Sequence, residues 1–365
     1  MSFSEFHGNA ETVHRLREML GRGRFPHAVV LSGGRGAGKY TLALMLAKAL
    51  NCLDPRETDG LPDFCDRCAN CTRIGLAADL DARFAEAVEA RENLRETDKK
   101  ETRLFVQTHP DVLIIPPDPP QMMIKMDQVR RVIETIYYRP SEGRERVYVF
   151  TDSAFMKEAA NSLLKVLEEP PEFATIFLLT ENPGELLPTI RSRSMVFQLA
   201  ALPVEEIERD LAERHAEWKP PERALVARLS NGAVGRARGF DLESYVAARV
   251  HALTILSSAL KGGEHSELFK ATETYRAGAE GRVKTESLIQ TLYSLLQDLM
   301  FVSSGTPELA RNIDILSELK RLAELTDFDW IAMASDRLAD VERGMRRNLL
   351  RSLSLDAFAA ALEVS

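Results

Sequence analysis

The chain has 365 residues, which at roughly 150 residues per domain gives two to three domains and room for a sizeable buried core. Apolar residues make up 45% and charged residues 28%, values that exclude collagen-like repetition and wholesale disorder. Lys and Arg number 47 against 55 Asp and Glu, a net charge of -8, which excludes a protein that coats nucleic acid through bulk positive charge but leaves room for a local basic surface.

The first residues, Met1-Ser2-Phe3-Ser4-Glu5-Phe6, carry neither the basic nor the apolar region of a secretory leader. No later run of about 18 apolar residues would span a bilayer, so a cytoplasmic protein without a membrane partner is expected. The first predicted strand, 27–32, leads into Gly33-Gly34-Arg35-Gly36-Ala37-Gly38-Lys39 and then a helical pattern through Thr41, Leu42, Leu44 and Leu46. This is Gly-x-x-x-x-Gly-Lys between a strand and a helix. Gly33, Gly36 and Gly38 let backbone N–H groups turn toward a phosphate, the helix N-terminus adds partial positive charge, and Lys39 stands at the terminal phosphates. The loop therefore has the parts to bind ATP or ADP. The next position ordinarily holds Ser or Thr, whose short hydroxyl ligates Mg²⁺; here it is Tyr40, whose phenol on a long arm cannot take that place. Thr41 lies one residue on, about 100° around the helix, and is expected to point elsewhere, so Mg²⁺ is not expected to be held well.

Cys52, Cys65, Cys68 and Cys71 are the only cysteines, and they fall between positions 52 and 71. In a reducing compartment such a cluster reads as a metal site before it reads as disulfides. Four thiolates suit a structural Zn²⁺, whose closed shell leaves no position for a catalytic water. An iron-sulfur cluster and four unliganded thiols are the other readings. From about 76 to 106 the chain is rich in Ala, Glu, Asp and Arg, the texture of a solvated helical insertion without chemistry of its own. A strand over 111–115 follows, then Pro116-Pro117-Asp118-Pro119-Pro120 as a stiff extended connector, then a helix through Val129, Val132, Ile133 and Ile136.

The strand over 146–151 runs into Thr151-Asp152-Ser153, where a nucleotide hydrolase carries Asp for the Mg²⁺ shell and then Glu for the attacking water. If Thr151 takes the first place, Asp152 stands in for Glu on a side chain one methylene short. If Asp152 takes it, Ser153 follows and no water-activating acid remains. Phe155, Ala159, Leu163 and Leu167, with Met156, Ala160 and Leu164 beside them, predict an amphipathic helix that packs on the sheet and stops at Pro170-Pro171. Strands over 175–180 and 195–199 complete a mainly parallel sheet; several of the five predicted strands are apolar on consecutive positions, as suits strands covered by helices on both faces. After Leu202-Pro203 the pattern is helical, with a small domain at about 202–240, punctuated by Gly232, Gly235 and Gly239, and a larger one from about 241 to the end. Arg343, Arg346, Arg347 and Arg351 fall on successive helical turns and read as a solvated face in preference to a DNA or partner contact.

Taken together these residues resemble the bacterial clamp-loader ATPases, the AAA+ subunits of the DNA polymerase III holoenzyme. The likeness is carried by Phe25-Pro26-His27-Ala28, the four cysteines, His109-Pro110-Asp111, the run Leu163-Leu164-Lys165-Val166-Leu167-Glu168-Glu169-Pro170-Pro171, and Arg191-Ser192-Arg193-Ser194. It covers about residues 1–200 closely and the remainder only in pattern. It implies an α/β AAA+ P-loop domain over 1–201 with a parallel sheet flanked by helices and an inserted zinc module at 52–71. A helical lid over 202–240 and an all-α collar over 241–365 follow, with Leu349, Leu350, Leu353 and Phe358 as core or interface.

Three departures bear on the branch of the family. Motor subunits carry Asp-Glu after the strand, Ser or Thr after the Lys, and an Arg in a Gly-x-x-Arg motif of the lid; this chain has Thr151-Asp152, Tyr40, and Gly235 where that Arg would fall. In all three it resembles the delta-prime branch, which implies a non-motor subunit with no catalytic residue in cis. In that branch Arg193, within Ser192-Arg193-Ser194, is an arginine finger given in trans to ATP on a neighbour, a role suited to a permanently charged guanidinium. The implied partners are gamma/tau and delta subunits in a hetero-pentameric ring, with the sliding clamp and primer-template DNA reached through the complex. The alternative is an active gamma/tau-like ATPase in which Thr41 and Asp152 rescue Mg²⁺ chemistry. Lys165, Glu168 and Glu169 match the family motif and equally suit a solvated helix end, and the 76–106 insertion is outside the usual pattern.

Overall fold

The consecutive apolar runs at 28–31, 112–115, 147–150 and 176–179 form strands buried on both faces, whereas the run at 195–197, expected to be covered likewise, lies at the sheet edge with Met195 and Val196 exposed. The structure, a computed structural model, describes residues 2–261, 278–345, 358 and 362. The strands are β1 (Ala28–Ser32), β2 (Arg56–Thr58), β3 (Leu61–Asp63), β4 (Val106–His109), β5 (Val112–Ile115), β6 (Arg146–Phe150), β7 (Ala174–Thr180) and β8 (Met195–Gln198). Six of them make one sheet in the order β4-β5-β6-β7-β1-β8, and β2 pairs with β3 in a separate hairpin. All pairings in the large sheet are parallel except β4 with β5.

Helices in the same part of the chain are α1 (Ala10–Gly21), α2 (Lys39–Asn51), α3 (Ala69–Gly75), α4 (Leu80–Glu92), α5 (Glu96–Glu101), α6 (Met126–Ile136), α7 (Lys157–Glu168) and α8 (Pro188–Arg191). Alternate strand residues face two cores. Val29, Leu31, Ile114, Val149 and Phe177 pack with Leu16 of α1 and Leu42 and Leu46 of α2. Val30, Ile115, Phe150 and Leu178 pack with Val129 and Val132 of α6 and Leu163 and Val166 of α7. Contacts divide the chain into two compact units, Met1–Pro203 with Gly232–Arg236, and Val204–Asn231 with Ala237–Ser365.

Each predicted strand is present, within a residue of its expected end. Three local expectations need correction. The segment 116–120 is not an extended connector: the chain reverses, and Asp118 N–H donates to the Met123 carbonyl at 2.9 Å. The cause is the Asp118 carboxylate, which is fully buried and takes Arg91 (2.9 Å), Lys125 (2.9 Å) and the Leu104 N–H (3.2 Å). The helix expected from Phe155 begins at Lys157, because Phe155 bridges to Ile124 and Met156 N–H donates to the Ile124 carbonyl. The insertion is helical through α4 and α5, and at its end Val106 opens β4, an unexpected strand whose two inward positions, Val106 and His109, are too few to show as a strand signal.

The second unit is helical: α9 (Val204–Arg214), α10 (Pro220–Leu229), the end of α11 (Val234–Arg238), α12 (Leu242–Lys261), α13 (Gly278–Ser303), α14 (Leu316–Ala323) and α15 (Phe328–Met345). Leu256, Leu292, Leu295, Leu319, Leu338 and Phe358 share its core. A buried polar network holds the loop before α14. Asn312, fully buried, accepts from Tyr245 (2.8 Å) and Arg249 (3.0 Å) and donates to Asp298 (2.8 Å). Arg343 is exposed and pairs with Asp340. Arg346, Arg347, Arg351, Leu349, Leu350 and Leu353 lie outside the described residues. No helix among the described residues is long and apolar enough to cross a membrane.

Candidate functional site

Beyond Ser32 the chain leaves β1 at the carboxyl end of the sheet and turns through Gly33–Gly38 into α2. Gly33, Gly36 and Gly38 have φ of 146°, 82° and 91°, which residues bearing a Cβ rarely adopt. Space forbids a side chain too: a Cβ at Gly33 would lie 2.6 Å from the Leu199 carbonyl oxygen, and one at Gly36 would lie 2.8 Å from the Arg236 nitrogen. Lys39 folds its ammonium onto the loop and donates to the carbonyls of Gly33 (2.5 Å) and Gly34 (2.9 Å). Burial lowers its pKa, and the nearby carboxylates of Glu181 and Asp152 work against that shift. Gly235 N–H donates to the Gly36 carbonyl at 2.9 Å, and a Cβ on Gly235 would stand 2.8 Å from the same oxygen. Gly235 is thus packed backbone to backbone against the loop.

Tyr40 follows Lys39, but its hydroxyl donates to the Ala77 carbonyl at 2.6 Å and its ring packs against the core on the α2 side of the sheet. Burial pushes the phenol pKa up, so it remains a protonated donor there. Thr41 is exposed at the next position of α2. At the end of β6, Thr151 N–H continues the ladder to the Ile115 carbonyl at 3.1 Å, and Asp152 spends one carboxylate oxygen on the Ala154 N–H at 2.8 Å. Beside them stands a cluster that sequence reasoning does not single out. Thr180 Oγ1 donates to Ser153 Oγ at 3.0 Å, and Ser153 donates to Glu185 at 2.6 Å. Its only signal is a hydroxyl residue at or just beyond the carboxyl end of two adjacent strands.

Arg193 lies at the other end of the sheet. Because β8 runs parallel to β1, with Met195 opposite Val29, a residue just before β8 stands at the amino end of the strands. The phosphate loop leaves from the carboxyl end, roughly 15 Å of strand away. Arg193 and the loop of the same chain therefore cannot meet on one nucleotide. The guanidinium donates to the Thr189 carbonyl at 3.1 Å and pairs with Glu168 of α7 at 2.8 Å, leaving the side chain 35% exposed.

The structure brings Cys52, Cys65, Cys68 and Cys71 together, with all four Sγ atoms within 4.8 Å of one another. Four sulfurs about 2.3 Å from a common ion stand about 3.8 Å apart, so the cluster has the donors and the spacing to hold a metal. Backbone N–H groups already point at sulfur, from Cys65 to Cys52 (3.3 Å) and from Cys68 to Cys65 (3.3 Å). Burial disfavours the Cys68 thiolate, but the N–H groups of Cys71 and Leu53, together with hydrogen bonds from the Cys71 and Cys65 thiols, more than offset it and bring the pKa down to about 6. The long excursion between Cys52 and Cys65 is the β2–β3 hairpin, gripped by the buried Arg17, which donates to the carbonyls of Thr58 (2.6 Å), Leu61 (2.9 Å) and Pro62 (3.0 Å). Lys48 of α2 pairs with Asp66 at 2.5 Å, a second tie beside Tyr40 between the helix of the phosphate loop and the cysteine segment. Within His109-Pro110-Asp111, the Asp111 carboxylate accepts from the N–H groups of Ser141 (2.7 Å), Glu142 (2.8 Å) and Gly143 (2.7 Å), a loop-setting role and not a chemical one.

Residues 8–203 match the protein family described as "DNA polymerase III, delta subunit". Among curated proteins, the DNA polymerase III subunit tau of Escherichia coli (strain K12) is 31% identical over 238 residues, covering 64% of this chain and 31% of that protein. The DNA polymerase III subunit delta' of Bacillus subtilis (strain 168) is 24% identical over 309 residues, covering 84% of this chain and 82% of that protein. This chain thus spans about a third of the length of the tau relative and most of the length of the delta' relative. Among solved structures, a DNA polymerase III gamma-subunit-related protein from Thermotoga maritima is similar at 18% identity and a TM-score of 0.39, covering 95% of this chain and 98% of that one.

Proposed function

We propose, from the premise that the chain belongs to the family described as "DNA polymerase III, delta subunit", that it is a non-motor, delta-prime-like subunit of a sliding-clamp loader. The observation that carries this reading is Tyr40. At the position where a hydroxyl would hold Mg²⁺ beside the phosphates, the side chain is turned into the core and bonded to Ala77. Thr151-Asp152-Ser153 adds no Asp-Glu pair to replace it. The chain then contributes to hydrolysis with Arg193, whose place at the amino end of the strands suits a nucleotide held by a neighbouring subunit. Gamma/tau and delta subunits are the expected neighbours in a cytoplasmic hetero-pentameric ring that brings the clamp to primer-template DNA. In this reading residues 202–240 serve as lid and 241–365 as collar.

Cys52, Cys65, Cys68 and Cys71 would hold a structural Zn²⁺ that staples the β2–β3 excursion to the nucleotide domain. Metal analysis of the purified chain is expected to give one zinc per chain, lost in a Cys68→Ser, Cys71→Ser variant; iron with sulfide, or no metal, would overturn this assignment. The second reading, a gamma/tau-like motor, is favoured by the complete Gly33-to-Lys39 loop and by the tau relative. Turnover by the isolated chain decides between them. The non-motor reading expects no ATP hydrolysis above background, whereas robust hydrolysis abolished by Lys39→Ala would establish the motor.

A further inference from the structure

Arg193 sits on a short, firmly held segment. Ile190 of α8 is fully buried, and its carbonyl takes both the Arg193 N–H (3.1 Å) and the Ser194 hydroxyl (2.9 Å). Glu168 is anchored from the other side. It ends α7, whose Leu163, Val166 and Leu167 are buried, and Pro170-Pro171 stops the helix just beyond it. Two rigid elements thus present one acceptor each, Glu168 Oε1 on one terminal nitrogen of the guanidinium and the Thr189 carbonyl on the other. Both acceptors bind terminal nitrogens and fix the plane of the fork, with Ser192 Oγ a longer contact at 3.5 Å, and the side chain stays 35% exposed. A long side chain otherwise loses rotamer entropy each time it must reach a fixed point, and holding it beforehand removes that cost.

We infer that Glu168 is a positioning residue for Arg193: its carboxylate, with the Thr189 carbonyl, holds the guanidinium in the orientation in which a neighbouring subunit's nucleotide meets it. This inference rests on the reading that Arg193 acts in trans. It also separates Glu168, which pairs with Arg193, from Glu169, which shares the sequence run but makes no ion pair with Arg193.

The test uses the loader reconstituted from this full chain and its own partner subunits, with DNA-stimulated ATP hydrolysis followed over a range of ATP concentrations. Glu168→Gln and Glu168→Ala are expected to lower kcat about fivefold, equivalent to about 1 kcal/mol, with KM and the melting temperature of the chain unchanged. Combined with Arg193→Ala, either is expected to cost nothing further, since the residue it positions is gone. If Arg193→Ala itself leaves hydrolysis unchanged, the trans reading fails first and the inference with it. If Arg193→Ala lowers hydrolysis but Glu168→Ala does not, or if the two losses multiply in the double variant, the trans reading stands and the positioning role is overturned.

Discussion

The two ends of the central sheet carry the same kind of material, loops from parallel strands with conspicuous glycine, hydroxyl and arginine residues, yet they are built to opposite effect. At the carboxyl end the phosphate loop keeps its backbone form, with three glycines in left-handed or related conformations and Lys39 at the helix start. Its side-chain chemistry is turned inward: Lys39 to the loop's own carbonyls, Tyr40 to Ala77, Asp152 to Ala154. At the amino end a single arginine is held by two acceptors and left half exposed. One sheet thus keeps the backbone shape of a phosphate loop at one end while it presents a held, partly exposed guanidinium at the other.

That contrast can be broken most directly at its ends. Arg193→Ala is expected to lower DNA-stimulated hydrolysis of the reconstituted loader by about tenfold or more, while Lys39→Ala changes it little; equal losses would erase the asymmetry. A smaller test asks whether the loop is packing. Gly36→Val should destabilise the chain by about 2–3 kcal/mol in denaturant melts, because the new side chain meets the Arg236 backbone in a positive-φ position. A loop free to rearrange around a nucleotide would tolerate it. The smallest effect concerns Tyr40. Tyr40→Phe should cost about 1 kcal/mol, the worth of its bond to Ala77, and Tyr40→Thr should not install Mg²⁺-dependent turnover in the isolated chain.

Much of this was legible in the sequence because its signals are local. The apolar runs of β1, β6 and β7 can only be strands covered on both faces, and the four cysteines announce their meeting by spacing alone. The β2–β3 hairpin was not among the expected elements, although Asp59-Gly60 takes φ of 54° and 72°, as a tight two-residue hairpin turn requires. What the sequence hid is long-range and polar. Asp118 inside a proline-rich stretch reads as solvated connector, and only the fold brings Arg91 and Leu104 of the insertion to it. Tyr40 could be recognised as the wrong residue for Mg²⁺, but not as a tie to Ala77. Glu168 read equally well as a helix end facing water until α8 placed Arg193 beside it.

The contact between Gly36 and Gly235 has one more consequence. No side chain fits on either residue without striking the other's backbone segment, so the two positions form a single steric compartment although they are far apart in the chain. An arginine at 235 would first require the two segments to be pulled apart. Placing any long side chain there would therefore mean refolding a joint and could not be accomplished by one substitution.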